Sequence, residues 1–237
     1  AYPDKKSFLS PDEAELFELC SVEENGYEAL ALLSELSGSP KIAQELIRPY
    51  IADVPTSGDL DVTTLGPLIA DIMPEESIVS DESATASLIV TPHALQAKPH
   101  DWLALTGGSI GQGLPLAIGA SIAKPDRPVI TLHGDGGAMY TVQALWTQAR
   151  ENLNITNIIF SNRSYEILKI ELDRVQAVET GERAASMFSM DNPPIDWVNL
   201  AESMGVQGYK PKTVKEFKDV FSKSVNESGP SLIEIEI

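Results

Sequence analysis

Two short runs, Val129-Ile130-Thr131-Leu132 and Asn157-Ile158-Ile159-Phe160, constrain this chain more than any other feature. A strand with one wet face alternates apolar and polar residues; a run that is predominantly apolar on both parities is buried on both faces. Such strands belong to parallel sheets layered between helices. The segment joining the two runs fits that role, because Met139, Val142, Leu145, Trp146 and Ala149 fall on one side of a helix spanning 138–150. The unit reads as βαβ, whose right-handed crossover makes its strands parallel and adjacent.

The two runs end in different loops. The first passes into His133-Gly134-Asp135-Gly136-Gly137 and the second into Ser161-Asn162-Arg163-Ser164. Ligands of open parallel sheets sit beyond the carboxyl ends of the strands. Asp135 and Asn162, 27 positions apart, are therefore expected on neighbouring loops at that edge. One carboxylate, one amide oxygen and a nearby backbone carbonyl make a hard-oxygen set with too few protein ligands for Ca²⁺. It suits Mg²⁺, whose remaining positions are filled by phosphate oxygens and water. Gly134, Gly136 and Gly137 let the backbone approach closely, and a helix starting at Ala138 would turn its N-terminus toward an anion. A diphosphate bridged by Mg²⁺ is the natural occupant. An aspartate between glycines is also an ordinary tight turn, and the pairing with Asn162 at the next strand end is what favours a site. A dinucleotide fingerprint would need a third glycine where Met139 stands, and the Gly-Lys-Ser/Thr of a P-loop occurs nowhere.

Flanking patterns extend the α/β alternation. Helices are expected over 65–73, 114–123 (opened by Pro115) and 197–204 (closed by Gly205), and strands over 77–80, 102–105 and 232–237. Thr213-x-x-Glu216 is a capping box that opens a further helix with Phe217, Val220 and Phe221 inward. Upstream, Ser10-Pro11-Asp12-Glu13 reads as a helix start, and Leu16, Leu19 and Cys20 as one apolar face. A second helix over 26–36 carries Ala29, Leu32, Leu33 and Leu36, with Gly38-Ser39-Pro40 as its stop. The turn-rich stretch 53–60 divides a helical segment, 1–55, from an α/β domain, 56–237.

The stretch from Gly134-Asp135-Gly136 to Ser161-Asn162 resembles the thiamin-diphosphate motif, which opens with Gly-Asp-Gly and closes on an Asn pair. With 105–115 and the region to Leu168, it is similar to the diphosphate-binding domain of acetolactate synthase-like enzymes and 2-oxoacid decarboxylases, over roughly residues 60–237. The fold implied is three-layer α/β/α with a mostly parallel six-stranded sheet. The resemblance implies thiamin diphosphate and Mg²⁺ as cofactors, with Asp135, the Asn162 side chain and the Ser164 carbonyl on the metal. Ser161 departs from the first Asn of the pair; the ligating second Asn is kept. It further implies that the Gly108 carbonyl and the Ile110 amide contact the aminopyrimidine, while the Ile110 side chain wedges the cofactor into its bent, reactive conformation. Ser83 and Thr85, in Asp81-Glu82-Ser83-Ala84-Thr85, are candidate hydroxyl donors near the diphosphate, and Gly134, Gly136, Gly137 and Tyr165 line its site. The activity implied is 2-oxoacid decarboxylation followed by carboligation. Ile170-Glu171 stand where biosynthetic acetohydroxyacid synthases carry Gln-Trp, which keeps a benzoylformate-type decarboxylase or another lyase as the alternative. A nicotinamide-dependent dehydrogenase and a non-catalytic binding or regulatory module are alternatives of other classes.

In the family a Glu from a separate N-terminal domain, normally on a partner subunit, activates the pyrimidine nitrogen, and nothing here resembles that domain. The opening Ala1-Tyr2-Pro3 and the helical stretch after it resemble the tail of the family's central domain, and FAD binding depends chiefly on that domain. The chain thus reads as the C-terminal portion of a longer homodimeric or homotetrameric enzyme, inactive alone. Composition narrows partners and compartment. The chain holds 35 acidic and 17 basic residues, and the excess is concentrated in residues 1–90, with 18 acids against 4 bases. Such a surface repels nucleic acid and anionic membranes, leaving a small-molecule 2-oxoacid as the expected partner. The single cysteine, Cys20, excludes a disulfide framework and a cysteine-cluster metal site, and fits a reducing cytoplasm. His93 and His100 are expected to brace a Pro-containing loop, and Trp102, Trp146 and Trp197 to be core.

Overall fold

The computed structural model of the chain describes residues 17, 19–21, 23–38, 54–94, 96–174 and 181–237. The chain divides into two compact units, Ala1–Arg48 and Pro49–Ile237. The helix start at Ser10 and the apolar Leu16 lie outside the described residues. In the first unit, helix α1 (Gly26–Leu36) occupies the span read from the sequence. Asn25 caps it, its Oδ1 accepting from the amides of Tyr27 and Glu28, which satisfies donors the first turn leaves unpaired.

The second unit is a parallel α/β layer structure. After α2 (Val62–Ile72) come β1 (Ile78–Glu82), α3 (Ser87–Ala94), β2 (Asp101–Ala104), α4 (Gly113–Ala123), β3 (Val129–Gly134), the single turn α5 (Asp135–Ala138) and α6 (Ala144–Arg150). The chain continues through β4 (Ile155–Ser161), α7 (Glu166–Arg174), α8 (Glu182–Ser186), α9 (Trp197–Ser203), β5 (Gln207–Tyr209), α10 (Val214–Ser224) and β6 (Ser231–Glu236). The strands form one six-stranded sheet in the order β2-β1-β3-β4-β6-β5, and every pairing is parallel. After β1 the chain leaves for one edge of the sheet, and after β3 for the other. The crevice between the ends of β1 and β3 is thus the topological switch point, where such sheets take their ligands.

Each face of the sheet has its own core. One joins Ile130, Leu132, Ile158, Phe160, Ile233 and Ile235 to α2 and to Phe217 and Phe221 of α10, whose rings stack 5.4 Å apart. Truncating either ring to alanine would cost about 3–5 kcal/mol at such fully buried sites. The other packs Leu145, Ile159 and Leu232 against Trp197 and Ala201 of α9. Asn157, the polar residue in its strand, is fully buried but satisfied: Nδ2 donates to Gln148 Oε1 (2.7 Å) and the Ser231 carbonyl (2.9 Å), while Oδ1 accepts from Thr131 Oγ1 (2.9 Å). A one-residue slip would orphan this network, so it fixes the register of β3, β4 and β6.

The helix expected over 138–150 is interrupted. It is two pieces separated by turns, because Thr141 Oγ1 donates to the Gly111 carbonyl (2.6 Å) and pulls the backbone off the helical path. Helical geometry therefore begins at Asp135, not Ala138. Met139 and Trp146, expected on the inward side, fall outside the core; Trp146 lies on the regular helix α6, 53% exposed beneath the Arg150 guanidinium. His93 lies in α3, its ring against Gly66 of α2, where an added Cβ would meet Cδ2 at 2.7 Å. His100 braces a loop as expected, its Nδ1 2.7 Å from the Lys98 carbonyl. The capping box at Thr213 and Glu216 forms as read. The three-residue β5 carries too little pattern to be seen in sequence. No helix among the described residues is long and apolar enough to cross a membrane.

Candidate active site

The register sets Gly134 beside Phe160, so Asp135 and Asn162 emerge on neighbouring loops at the carboxyl edge of β3 and β4. Their loops are joined directly. Asp135 Oδ2 accepts from the Arg163 amide (2.7 Å) and Oδ1 from the Gly136 amide (2.8 Å). Asn162 Oδ1 accepts from the Ser164 amide (2.9 Å), a local turn that aims the amide oxygen along the loop. Arg163 is held with φ +53°, in the left-handed region. Its carbonyl accepts from Met190, and its guanidinium pairs with Asp191 and Glu236. A residue in that conformation persists where its surroundings over-determine it, and the Arg163 amide is the one that orients Asp135.

Asp135 is only 3% exposed. Burial pushes its carboxyl above the usual aspartate range, against the opposing effect of the Arg163 and Gly136 amides. Each carboxylate oxygen retains a lone pair beyond the amide it accepts from, so the set of carboxylate, amide oxygen and Ser164 backbone carbonyl fits a hard, phosphate-bridging cation such as Mg²⁺. It does not fit a thiolate or imidazole metal. No group of three His, Cys, Asp or Glu side chains converges among the described residues.

Two connected hollows flank this edge. A small one of ≈ 60 Å³ is walled by Thr85, Asp135, Asn162 and Ser164. A larger one of ≈ 570 Å³, lined by Gly108, Ile110, Leu105, Tyr140 and Leu168, opens beside it. Ser83, Gly134, Gly136 and Tyr165 belong to both, so the two form one cleft across the switch point. The cleft brings together every site residue expected from the sequence. Gly136 has no room for a side chain, since an added Cβ would lie 2.7 Å from the Tyr165 ring. The Ser83 hydroxyl donates to Asp81 Oδ1 (2.6 Å), so it braces the loop. Ile110 is half exposed within the larger hollow, although aliphatic side chains of this size are usually buried. Its amide donates to the Gly108 carbonyl (2.9 Å) across a γ-turn, so, contrary to the expectation that it faces the aminopyrimidine, its one N–H is engaged within the loop.

Glu82, His133 and Thr141 were not marked by sequence reasoning. Glu82 ends β1 inside the cleft wall, and its oxygens accept from the amides of Gly111 (2.5 Å) and Gly113 (2.7 Å). Burial raises its carboxyl, but His133 and the two amides outweigh that, and it titrates below the usual glutamate range. His133 Nε2 lies 3.1 Å from Glu82 Oε2, an electrostatic contact that lacks the alignment of a hydrogen bond. The signal in sequence was faint: an acid on the buried parity of β1, and a Gly-x-Gly whose amides are accessible.

Comparison with known proteins places the chain. Residues 84–235 match the family model for the thiamine pyrophosphate enzyme C-terminal TPP binding domain. A Mycobacterium tuberculosis protein provisionally named as acetolactate synthase large subunit IlvX is 40% identical over 99% of this chain and 45% of its own length. Benzoylformate decarboxylase of Pseudomonas aeruginosa is 26% identical over 86% of this chain and 38% of its own. The chain thus spans less than half of these relatives. A solved structure, the thiamine diphosphate-dependent 4-hydroxybenzoylformate decarboxylase of Rhodococcus jostii RHA1, superposes with a TM-score of 0.70 at 28% identity, covering 88% of this chain and 38% of that one. With the family model matched over more than half of the chain, the chain belongs to the thiamine pyrophosphate enzymes, as their C-terminal TPP-binding domain.

Proposed function

We propose that this chain is the cofactor-binding portion of a thiamin diphosphate- and Mg²⁺-dependent enzyme that decarboxylates a 2-oxoacid and ligates the product to a second carbonyl, as an acetolactate synthase does. The observation carrying this reading is the continuous cleft from the Asp135–Asn162 edge to Ile110. Asp135, Asn162 and the Ser164 carbonyl would hold Mg²⁺, with Gly134, Gly136 and Gly137 admitting the diphosphate. Ile110 would support the bent cofactor, and Tyr165 would close the cleft over Gly136. Thiamin diphosphate supplies the electron sink for decarboxylation, and the protein supplies position and polarity. The Glu that activates the pyrimidine would come from the N-terminal domain of a partner subunit, in a homodimer or homotetramer. The relatives' greater length leaves room for such a domain outside the matched region.

A benzoylformate-type decarboxylase is the second reading. It is favoured by Ile170-Glu171 in place of Gln-Trp and by the apolar cleft wall of Leu105, Tyr140, Ile167 and Leu168, which suits an aryl group. The test is calorimetric titration of thiamin diphosphate into the chain with Mg²⁺ and with EDTA. Mg²⁺-dependent binding is expected; binding that ignores Mg²⁺ would sink the metal-bridged reading. Supplying the longer enzyme with pyruvate and with benzoylformate then separates the two activities, by acetolactate or by aldehyde as product.

A further inference from the structure

We infer that Glu82, backed by His133, is a positioning residue that fixes the Ile110 loop relative to the Asp135 loop, and so sets the spacing between the two ends of the cofactor cleft. The inference rests on the thiamin diphosphate reading and concerns a residue of the cleft wall whose carboxylate is turned to loop amides. Glu82 stands on the last position of β1, its side chain 4% exposed, and reaches across the crevice to two amides of the 105–113 loop. Those amides follow Ile110: Gly111 comes directly after it, and Gly113 begins α4. Gly111 is held from the other side as well, because its carbonyl accepts from Thr141 Oγ1 (2.6 Å). It adopts φ +90°, and a Cβ there would strike the Tyr140 side chain at 2.7 Å. A β1 carboxylate on one side and the segment after α5 on the other leave Ile110 little freedom to shift.

The same pair reaches the other loop. A Cβ at Gly113 would lie 2.7 Å from the His133 ring, and one at Gly137 would lie 3.0 Å from both Glu82 Oε1 and the His133 ring. The Glu82–His133 pair therefore fills the space between two glycines, one on each loop, and His133 Nδ1 lies 3.0 Å from the Gly134 carbonyl. On this reading Gly137 lacks a side chain to admit the Glu82–His133 pair as well as a ligand.

Glutamine in place of Glu82 keeps the shape but turns a donor toward one of the two amides, leaving that N–H unpaired. The test compares the wild-type chain with Glu82→Gln by titrating Mg²⁺–thiamin diphosphate and, separately, Mg²⁺–inorganic diphosphate. Amide hydrogen exchange is followed without ligand. Positioning predicts that thiamin diphosphate affinity falls about tenfold or more, that inorganic diphosphate changes by less than about twofold, and that exchange over 108–113 accelerates about tenfold while β3 and β4 keep their protection. Equal loss for both ligands, or an unchanged loop, overturns it. If the variant does not fold, Thr141→Val frees the opposite side of Gly111 and is expected to give the same selective loss at smaller amplitude; a non-selective loss overturns the inference. If the wild-type chain itself does not prefer thiamin diphosphate over diphosphate, the functional reading fails. Loop exchange in the variant then decides by itself whether Glu82 anchors the Ile110 loop.

Discussion

The two ends of the cleft are held by different means. At the Asp135–Asn162 end, the loops continue buried strands whose pairing is fixed by register and by the Asn157 network, and one hydrogen bond from the Arg163 amide to Asp135 Oδ2 completes the join. At the Ile110 end, three of the seven residues from Gly107 to Gly113 are glycines with positive φ, and the restraint comes from side chains elsewhere, Glu82 of β1 and Thr141. The first end inherits its order from the sheet, whereas the second depends on a few polar contacts and can be loosened without disturbing the fold.

The largest expected effect falls on the first end. Asp135→Ala should abolish Mg²⁺-dependent thiamin diphosphate binding, at least a hundredfold loss by calorimetry, since it removes the charged ligand. Retained Mg²⁺ dependence would mean the metal lies elsewhere. Next, Ile110→Ala should weaken thiamin diphosphate about tenfold and leave inorganic diphosphate unchanged. Its melting temperature should barely move, because the side chain is already half exposed and surface changes stay within about 0.5 kcal/mol. A large loss of stability would show Ile110 to be a packing residue. These two substitutions together ask whether the ends are separable.

A pH series probes the first end more gently. Burial holds Asp135 above the usual aspartate range, so protons compete with Mg²⁺ there earlier than at a surface carboxylate. Mg²⁺ affinity should decline as the pH is lowered through the raised titration range of Asp135, and a profile that stays flat until the ordinary aspartate range contradicts the assignment. In the metal-free chain the sign is reversed for folding. A raised folded-state value means that the stabilising contribution of Asp135 is present at low pH and lost as pH rises through that value.

The smallest effect concerns a third buried acid as a contrast to Glu82. Glu234, 1% exposed, has an ion pair with Lys210 at 3.2 Å, and its oxygens lack hydrogen-bond partners among the described residues. Burial raises its carboxyl where Glu82 is lowered. By the same sign, Glu234→Gln should raise the melting temperature by a few degrees at neutral pH, roughly the response to 1 kcal/mol. The gain should vanish as the pH falls through the raised titration range of Glu234. Lys210 keeps Glu236 at 2.9 Å in the variant. A variant that melts lower at neutral pH would show that the Lys210 pair outweighs the burial cost.

What the sequence revealed follows the same division. Val129 to Leu132 and Asn157 to Phe160 are continuous in sequence as in space, so the hearts of β3 and β4 and the loops bearing Asp135 and Asn162 are legible directly, while the structure extends the strands to Gly134 and back to Ile155. The capping box at Thr213 was legible for the same reason, since a cap is local. Glu82 reaches Gly111 and Gly113 across 29 and 31 positions, and Thr141 reaches Gly111 across 30. No periodicity records such contacts. The broken helix over 138–150 was misread on that account: helical spacing continues through a segment that a tertiary hydrogen bond bends.

The strand order also governs how the site is assembled in time. Ile78, at the amino end of β1, pairs with Val129, some fifty residues downstream, after the chain has detoured through β2 and α4. Closing so long a loop is entropically slow, while β3 and β4 form from a nearer pair of segments. A folding chain would possess Asp135 and Asn162 side by side before β1, bearing Glu82, was paired with β3. The complete cleft would exist only in the finished fold, and a ligand spanning both ends would bind that state alone and shift the folding equilibrium toward it.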